Sequence, residues 1–255
     1  LDKAEMSYKR AIELSPNDEG LYYNLAHFYG RIGKKDEAIN VYKKAIEIKP
    51  GYSEAYNSLC CLYSDRKMYD EAISMCRKAI AYGDYGRPHY SLGLVYRKKG
   101  MLEEAMKEFK RVIEINLTSP DLLIYPDYGY MQDKINLIID TNIELGTIYG
   151  LKGEYGEAIK IYEKALVIDP KNSKINSAIG WIFRLQGKIE DAYAKLNKAL
   201  EFDPKNITAL INLSIIYGMK GQNKKAKELL EKVLTINPDN EDAKYFLKRI
   251  KEMGY

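Results

Sequence analysis

Only two histidines, three cysteines and one tryptophan occur in this 255-residue chain. His27 and His89 fall in different segments, and two isolated histidines do not make a metal site without further ligands. Cys60, Cys61 and Cys76 are too few for a disulfide framework, and none forms a Cys-x-x-Cys pair. Cys60 and Cys76 are therefore read as packed core thiols, and the expected compartment is reducing and cytoplasmic. No apolar run approaches the roughly 18 residues of a membrane span. A basic n-region followed by an apolar h-region is also missing. Net charge is small, +4 from 40 basic and 36 acidic side chains. Lys34-Lys35 and Arg97-Lys98-Lys99 end one helical pattern, while Asp36-Glu37, Asp70-Glu71, Glu103-Glu104 and Glu190-Asp191 open the next. That order complements helix dipoles and gives no reason to expect nucleic acid.

What the chain does have is a period. Ala4, Ala38, Ala72, Ala105, Ala158, Ala192 and Ala226 follow one another at steps of 34, 34, 33, 53, 34 and 34 residues. Around each alanine the apolar spacing is that of a short helix–turn–helix, most clearly in LGTIYGLKGEYGEAIKIYEKALVIDP at 145–170. A repeat of about 34 residues with this pattern signals stacked hairpins sharing one core. Ala26, Cys60, Gly93, Gly146, Gly180 and Ser214 recur at one small position that lets paired helices approach. Gly33, Gly100, Gly153, Gly187 and Gly221 fit the left-handed conformation that ends a helix, and Lys67 stands where the third unit should have its glycine. Prolines such as Pro50, Pro170 and Pro204 stop the second helix.

The expected organisation is a partial repeat followed by units 19–52, 53–85 and 86–119, an insertion at 120–138, units 139–172, 173–206 and 207–240, and a capping helix at 241–255. Leu1 falls inside a repeat, which reads as a fragment of a longer protein. Within the insertion, Met131 onward can extend the next first helix. Tyr125, Tyr128 and Tyr130 make the segment too apolar for a plain linker. It either patches the joint between units, or forms a wall or lid of the groove or the contact for a partner.

The pattern of aromatic, Leu-Gly, Tyr, Gly-x-Tyr-x-x-Ala, aromatic, Ala and Pro, clearest at Tyr56 to Ala79 and Leu145 to Pro170, resembles the tetratricopeptide repeat family over nearly the whole chain. The resemblance implies an all-α, right-handed superhelical solenoid whose first helices line a concave groove, and a protein-interaction module. Projected onto this chain, groove positions are Tyr23, Asn24, His27, Asn57 and Cys61 in the first units. Arg87, Tyr90, Leu94 and Arg97 follow. The later units add Ile143, Thr147, Trp181, Arg184, Ile211, Asn212 and Ile215. The carboxylate clamp of some family members is not matched at Tyr23, His27, Ser58, Arg87 and Ser91 beyond one basic residue, nor at Ile143, Thr147, Ala178, Thr208 and Asn212. An asparagine ladder is met only at Asn24 and Asn212.

No catalytic residue, metal or cofactor is expected. His27 is the only candidate base for Cys61, and the glycines of 146–156 lack the Gly-Lys-Ser/Thr ending of a phosphate loop. The leading expectation is a non-catalytic scaffold holding a peptide or protein segment in its groove, with Trp181 as anchor. The alternatives are a recruiting arm of a larger enzyme and a structural protein that self-associates through its repeat faces.

Overall fold

A computed structural model of the protein describes residues 2–83, 85–118 and 128–252; within these, the side chains of 2, 117, 118 and 128–131 lie outside the description. The described residues form fourteen α-helices and no strand. Helix α1 (Asp2–Leu14) precedes three hairpins, α2–α3 (Glu19–Arg31, Lys35–Ile48), α4–α5 (Ser53–Asp65, Tyr69–Tyr82) and α6–α7 (Gly86–Lys99, Leu102–Thr118). Three more follow: α8–α9 (Tyr128–Leu151, Tyr155–Ile168), α10–α11 (Ser173–Leu185, Ile189–Phe202) and α12–α13 (Ile207–Met219, Asn223–Ile236), then α14 (Glu241–Glu252). Two compact units divide the chain, Leu1–Leu137 and Ile138–Tyr255, with the boundary inside α8.

Helix α8 starts at Tyr128, three residues before Met131, so the later half of the expected insertion is helical and continuous with the next repeat. Tyr125 lies outside the described residues; Tyr128 and Tyr130 lie in the first turn of α8, with side chains outside the description.

The hairpins close because small residues meet large ones. Cβ atoms built on Gly93, Gly146 and Gly180 would stand 2.6, 2.4 and 2.7 Å from Phe109, Tyr162 and Leu196 of the facing helix. Each pair is sixteen residues apart, and the same register pairs Ala26 with Tyr42 and Ser214 with Leu230, all buried. The marker alanines of the six hairpins, Ala38 to Ala226, are 0% exposed, leaving no room for a larger side chain.

The second hairpin, α4–α5, solves this contact differently. Cys60 and Cys76, both fully buried, hold the small and the large position of one pair and form a disulfide with Cα atoms 5.3 Å apart. This corrects the reading of two core thiols. Cys76 stands where the other hairpins place Tyr, Phe or Leu, so a second sulfur, bonded to the first, fills space that a ring or isobutyl group fills elsewhere. With a disulfide in the core, cysteine usage no longer argues for a reducing compartment.

Turn chemistry follows the sequence closely. Gly33, Gly100, Gly153, Gly187 and Gly221 have φ between 71° and 85°, and Lys67 adopts the same left-handed conformation at φ 62°. An L-residue there costs about 1–2 kcal/mol, so Lys67→Gly is expected to stabilise the first unit by roughly 1 kcal/mol. Thermal unfolding checks this, and an unchanged or lowered midpoint refutes it. The lysines and arginines at first-helix ends cross to the preceding repeat. Arg66 pairs with Asp36 at 2.6 Å, Lys99 with Asp70 at 2.5 Å and Lys220 with Glu190 at 2.8 Å. Among the described residues no helix is long and apolar enough to cross a membrane.

Candidate interaction groove

In the first unit, the residues projected onto the groove make a polar surface with few unengaged aromatics. Tyr23 packs its ring against Tyr42 and Tyr52 at 5.5 and 5.3 Å. Tyr90 turns onto Phe109 of its own hairpin at 5.7 Å, so much of its ring serves the fold rather than the surface. Asn24, His27, Cys61 and Arg87 are exposed, while Asn57, Leu94 and Arg97 are half-buried. The Oδ1 of Asn57 is buried without a hydrogen-bond partner. Further along the first helices the surface is closed by charge: Lys98 Nζ donates to Ser64 Oγ at 3.2 Å and pairs with Asp65 at 3.7 Å.

Cys61 is exposed as a residue, yet its Sγ lies 3.8 Å from Oγ of buried Ser91. Desolvation at the sulfur pushes the thiol above its ordinary value. A nucleophilic cysteine needs the opposite shift, so the Cys61–His27 pairing has no support here. His89 is buried, with Nδ1 2.6 Å from Glu108 Oε2, as a hydrogen-bonded core side chain. Among the described residues no three His, Cys, Asp or Glu side chains gather as a metal-binding group.

The second unit differs. Its first helices α8, α10 and α12 bring Ile143, Thr147, Trp181, Ile211 and Asn212 together in one groove of about 620 Å³. Leu151, Ala178 and Ile207 extend its apolar floor, and Lys174, Asp203, Lys205 and Asp242 edge it. Arg184 and Ile215, also projected onto the groove, are half-buried just beyond its lining. Trp181 owes its position to a glycine: a Cβ on Gly150 of α8 would stand 2.7 Å from Trp181 Cζ3 and 2.5 Å from Ile182 Cδ1. One edge of the indole is seated on the preceding repeat while the residue stays half-exposed.

The sequence reading missed a row of side chains at the C-terminal ends of these helices. Leu151, Leu185 and Met219 are 59%, 39% and 65% exposed, large values for apolar side chains. Each is four residues beyond Thr147, Trp181 or Ile215, so it continues the groove face by one helical turn. Their spacing of 34 residues was the available signal. The equivalent positions of the first unit are Arg31, Asp65 and Lys98.

Four polar side chains of the groove are engaged internally. Thr147 Oγ1 donates to Ile143 O at 2.8 Å, and Ser177 Oγ donates to Lys174 O at 2.8 Å. Asn206 Nδ2 donates to Ser173 Oγ and Ser177 Oγ, and its Oδ1 accepts from Ala209 N at 2.9 Å. Asn212 Nδ2 donates to Thr208 O at 2.8 Å, and its Oδ1 accepts from Arg184 Nε at 2.7 Å.

Comparison with known proteins agrees with this architecture. The uncharacterized protein ycf37 of Cyanophora paradoxa is 32% identical over 105 residues, an overlap covering 34% of this chain and 61% of that protein. A tetratricopeptide repeat protein from Parabacteroides merdae ATCC 43184 superposes with a TM-score of 0.78 at 18% identity, covering 97% of this chain and 91% of that one. A chain of the APC/C hetero-tetramer Cut9-Hcn1 gives 0.73 at 19%, covering 97% of this chain but only 45% of that one. PilW, a type IV pilus biogenesis factor, gives 0.71 at 18%, with 90% and 98% covered. At these identities the structures share a fold. Sequence models described as tetratricopeptide repeat match residues 20–52, 53–82, 86–118, 140–172 and 183–250. With these matches reaching all six hairpins and covering well over half of the chain, the chain belongs to the tetratricopeptide repeat family.

Proposed function

We propose that this protein is a non-catalytic scaffold whose second unit holds a segment of a partner protein in the groove around Trp181. Tetratricopeptide repeat proteins serve as protein-interaction scaffolds, and the observation carrying the specific reading is the apolar groove, continued by Leu151, Leu185 and Met219. Scattered exposed apolar side chains are ordinary, but an aligned set over three helices is the kind of surface a partner covers. A half-exposed tryptophan fixed along one edge is pre-organised to act as an anchor.

The test is selection of binders from a phage-displayed peptide library on the immobilised protein, followed by titration against wild type and Trp181→Ala. Selected peptides are expected to bind the variant more weakly by about 2 kcal/mol, with the far-ultraviolet circular dichroism of the two proteins superimposable. Selection of no peptide, or of peptides that bind both proteins equally, overturns the proposal.

A further inference from the structure

Resting on that reading, we infer that the occupant of the second unit's groove is an amphipathic helix whose polar edge carries a carboxylate for Arg184. Two observations lead there, one about hydrogen bonds and one about charge.

An extended peptide laid in a groove buries backbone N–H and C=O groups, which need partners once removed from water. Four of the uncharged polar side chains that line the groove are already engaged. Thr147 and Ser177 donate to backbone carbonyls of their own helices, and Asn206 and Asn212 use both ends of their amides within the unit. A strand lying on Thr147, Ser177, Asn206 and Asn212 would break those bonds or depend on exposed Thr208 and the charged rim for its backbone partners. A helix satisfies its backbone internally and presents only side chains. The face is also the right shape. First helices of adjacent hairpins pack roughly 8–10 Å apart, so three of them present an apolar surface about 20 Å across, the length of a helix of roughly 14 residues.

Charge selects the helix further. Arg184 is half-buried beside Trp181 on α10 and reaches across to Asn212 on α12. Among the described residues no carboxylate forms an ion pair with it, and desolvation lowers its pKa. Nε is used by Asn212, which leaves the terminal nitrogens of the fork for an arriving carboxylate. The nearby acids are committed elsewhere or lie at the rim. Asp203 Oδ1 accepts from Lys205 N at 2.9 Å, and Asp242 lies in the first turn of α14, where a helix N-terminus favours an anion. A glutamate or aspartate on the bound helix would remove an uncompensated cation from an apolar surface, whereas a lysine there would be repelled.

The selected peptides themselves test this. Apolar residues are expected at i, i+3 or i+4 and i+7 with an acidic residue flanking them, and a proline placed mid-peptide should abolish binding. Arg184→Gln is expected to weaken binding about tenfold, and Arg184→Glu should prefer peptides whose acidic residue is changed to lysine, restoring most of the loss. Peptides that depend on Trp181 but lack helical periodicity, tolerate proline or ignore substitution at Arg184 overturn this inference while leaving the groove assignment standing. Loss of Trp181 dependence overturns both. Sedimentation of the unliganded protein supplies the remaining outcome: a dimer abolished by Trp181→Ala makes a second copy of the chain the occupant and refutes a separate partner helix.

Discussion

Reduction of the Cys60–Cys76 disulfide is expected to destabilise the first unit by about 3 kcal/mol, the loop-entropy value for a closed loop of this length. The loop runs through the turn of the α4–α5 hairpin, sixteen residues from one cysteine to the other. Beyond entropy, reduction leaves two small side chains facing each other where every other hairpin opposes small to large. Lys67 in left-handed conformation already makes this the hairpin with the costliest turn. Thermal unfolding with and without a thiol reductant measures the effect. A domain with two units need not melt in one step, so the transition to follow is the one that moves on reduction. The Cys60→Ala/Cys76→Ala variant should match the reduced protein and ignore the reductant. Under native oxidising conditions exposed Cys61 is expected to be the one cysteine that reacts with a thiol reagent. Equal melting of oxidised and reduced protein, or three reactive thiols in the untreated chain, contradicts the bridge.

Gly146→Val is expected to destabilise the second unit by about 3 kcal/mol, the upper part of the usual range for overpacking. A Cβ at this position would lie 2.4, 2.6 and 2.8 Å from three ring carbons of Tyr162, which is itself 0% exposed and cannot swing aside. The gain in helix propensity on replacing glycine, up to about 1 kcal/mol, is too small to offset the clash. Gly156→Ala on the facing helix is the matched control. Its added Cβ meets nothing within 4 Å, so only the propensity gain remains and the midpoint should rise. Circular dichroism melts of both variants decide the matter; a neutral Gly146→Val would show that the α8–α9 contact is looser than described. Because α8 also carries Gly150, the seat of Trp181, the destabilised variant should lose groove binding as well.

Much of this could be read before any coordinates. The 34-residue period, the left-handed turn glycines and the buried alanines are local consequences of packing short helices in pairs, so each repeat restates them. The small position at Cys60 is legible in the sequence, but reading Cys76 as a separate core thiol overlooked its place in the repeat. In register it belongs with Tyr42, Phe109, Tyr162, Leu196 and Leu230, facing Cys60 across the hairpin, and that register carried the disulfide. The row Leu151, Leu185 and Met219 was equally visible as a period. It was passed over because single apolar residues near a helix end look like ordinary turn positions.

The sequence by itself determined the helical hairpins, since these depend on neighbours within some 34 residues, and it placed Trp181, Ile143 and Ile211 on a common face. It did not fix the start of α8 at Tyr128, ahead of the expected unit at 139. Only tertiary structure decided which of those positions remain open. Tyr90 became engaged by Phe109, Trp181 was seated on Gly150 of the preceding repeat, and Arg184 was drawn to Asn212 of the following one. Those outcomes depend on distances between side chains about 30 residues or more apart, or across a hairpin. Helical periodicity fixes a direction around an axis but not what stands at the other end of it.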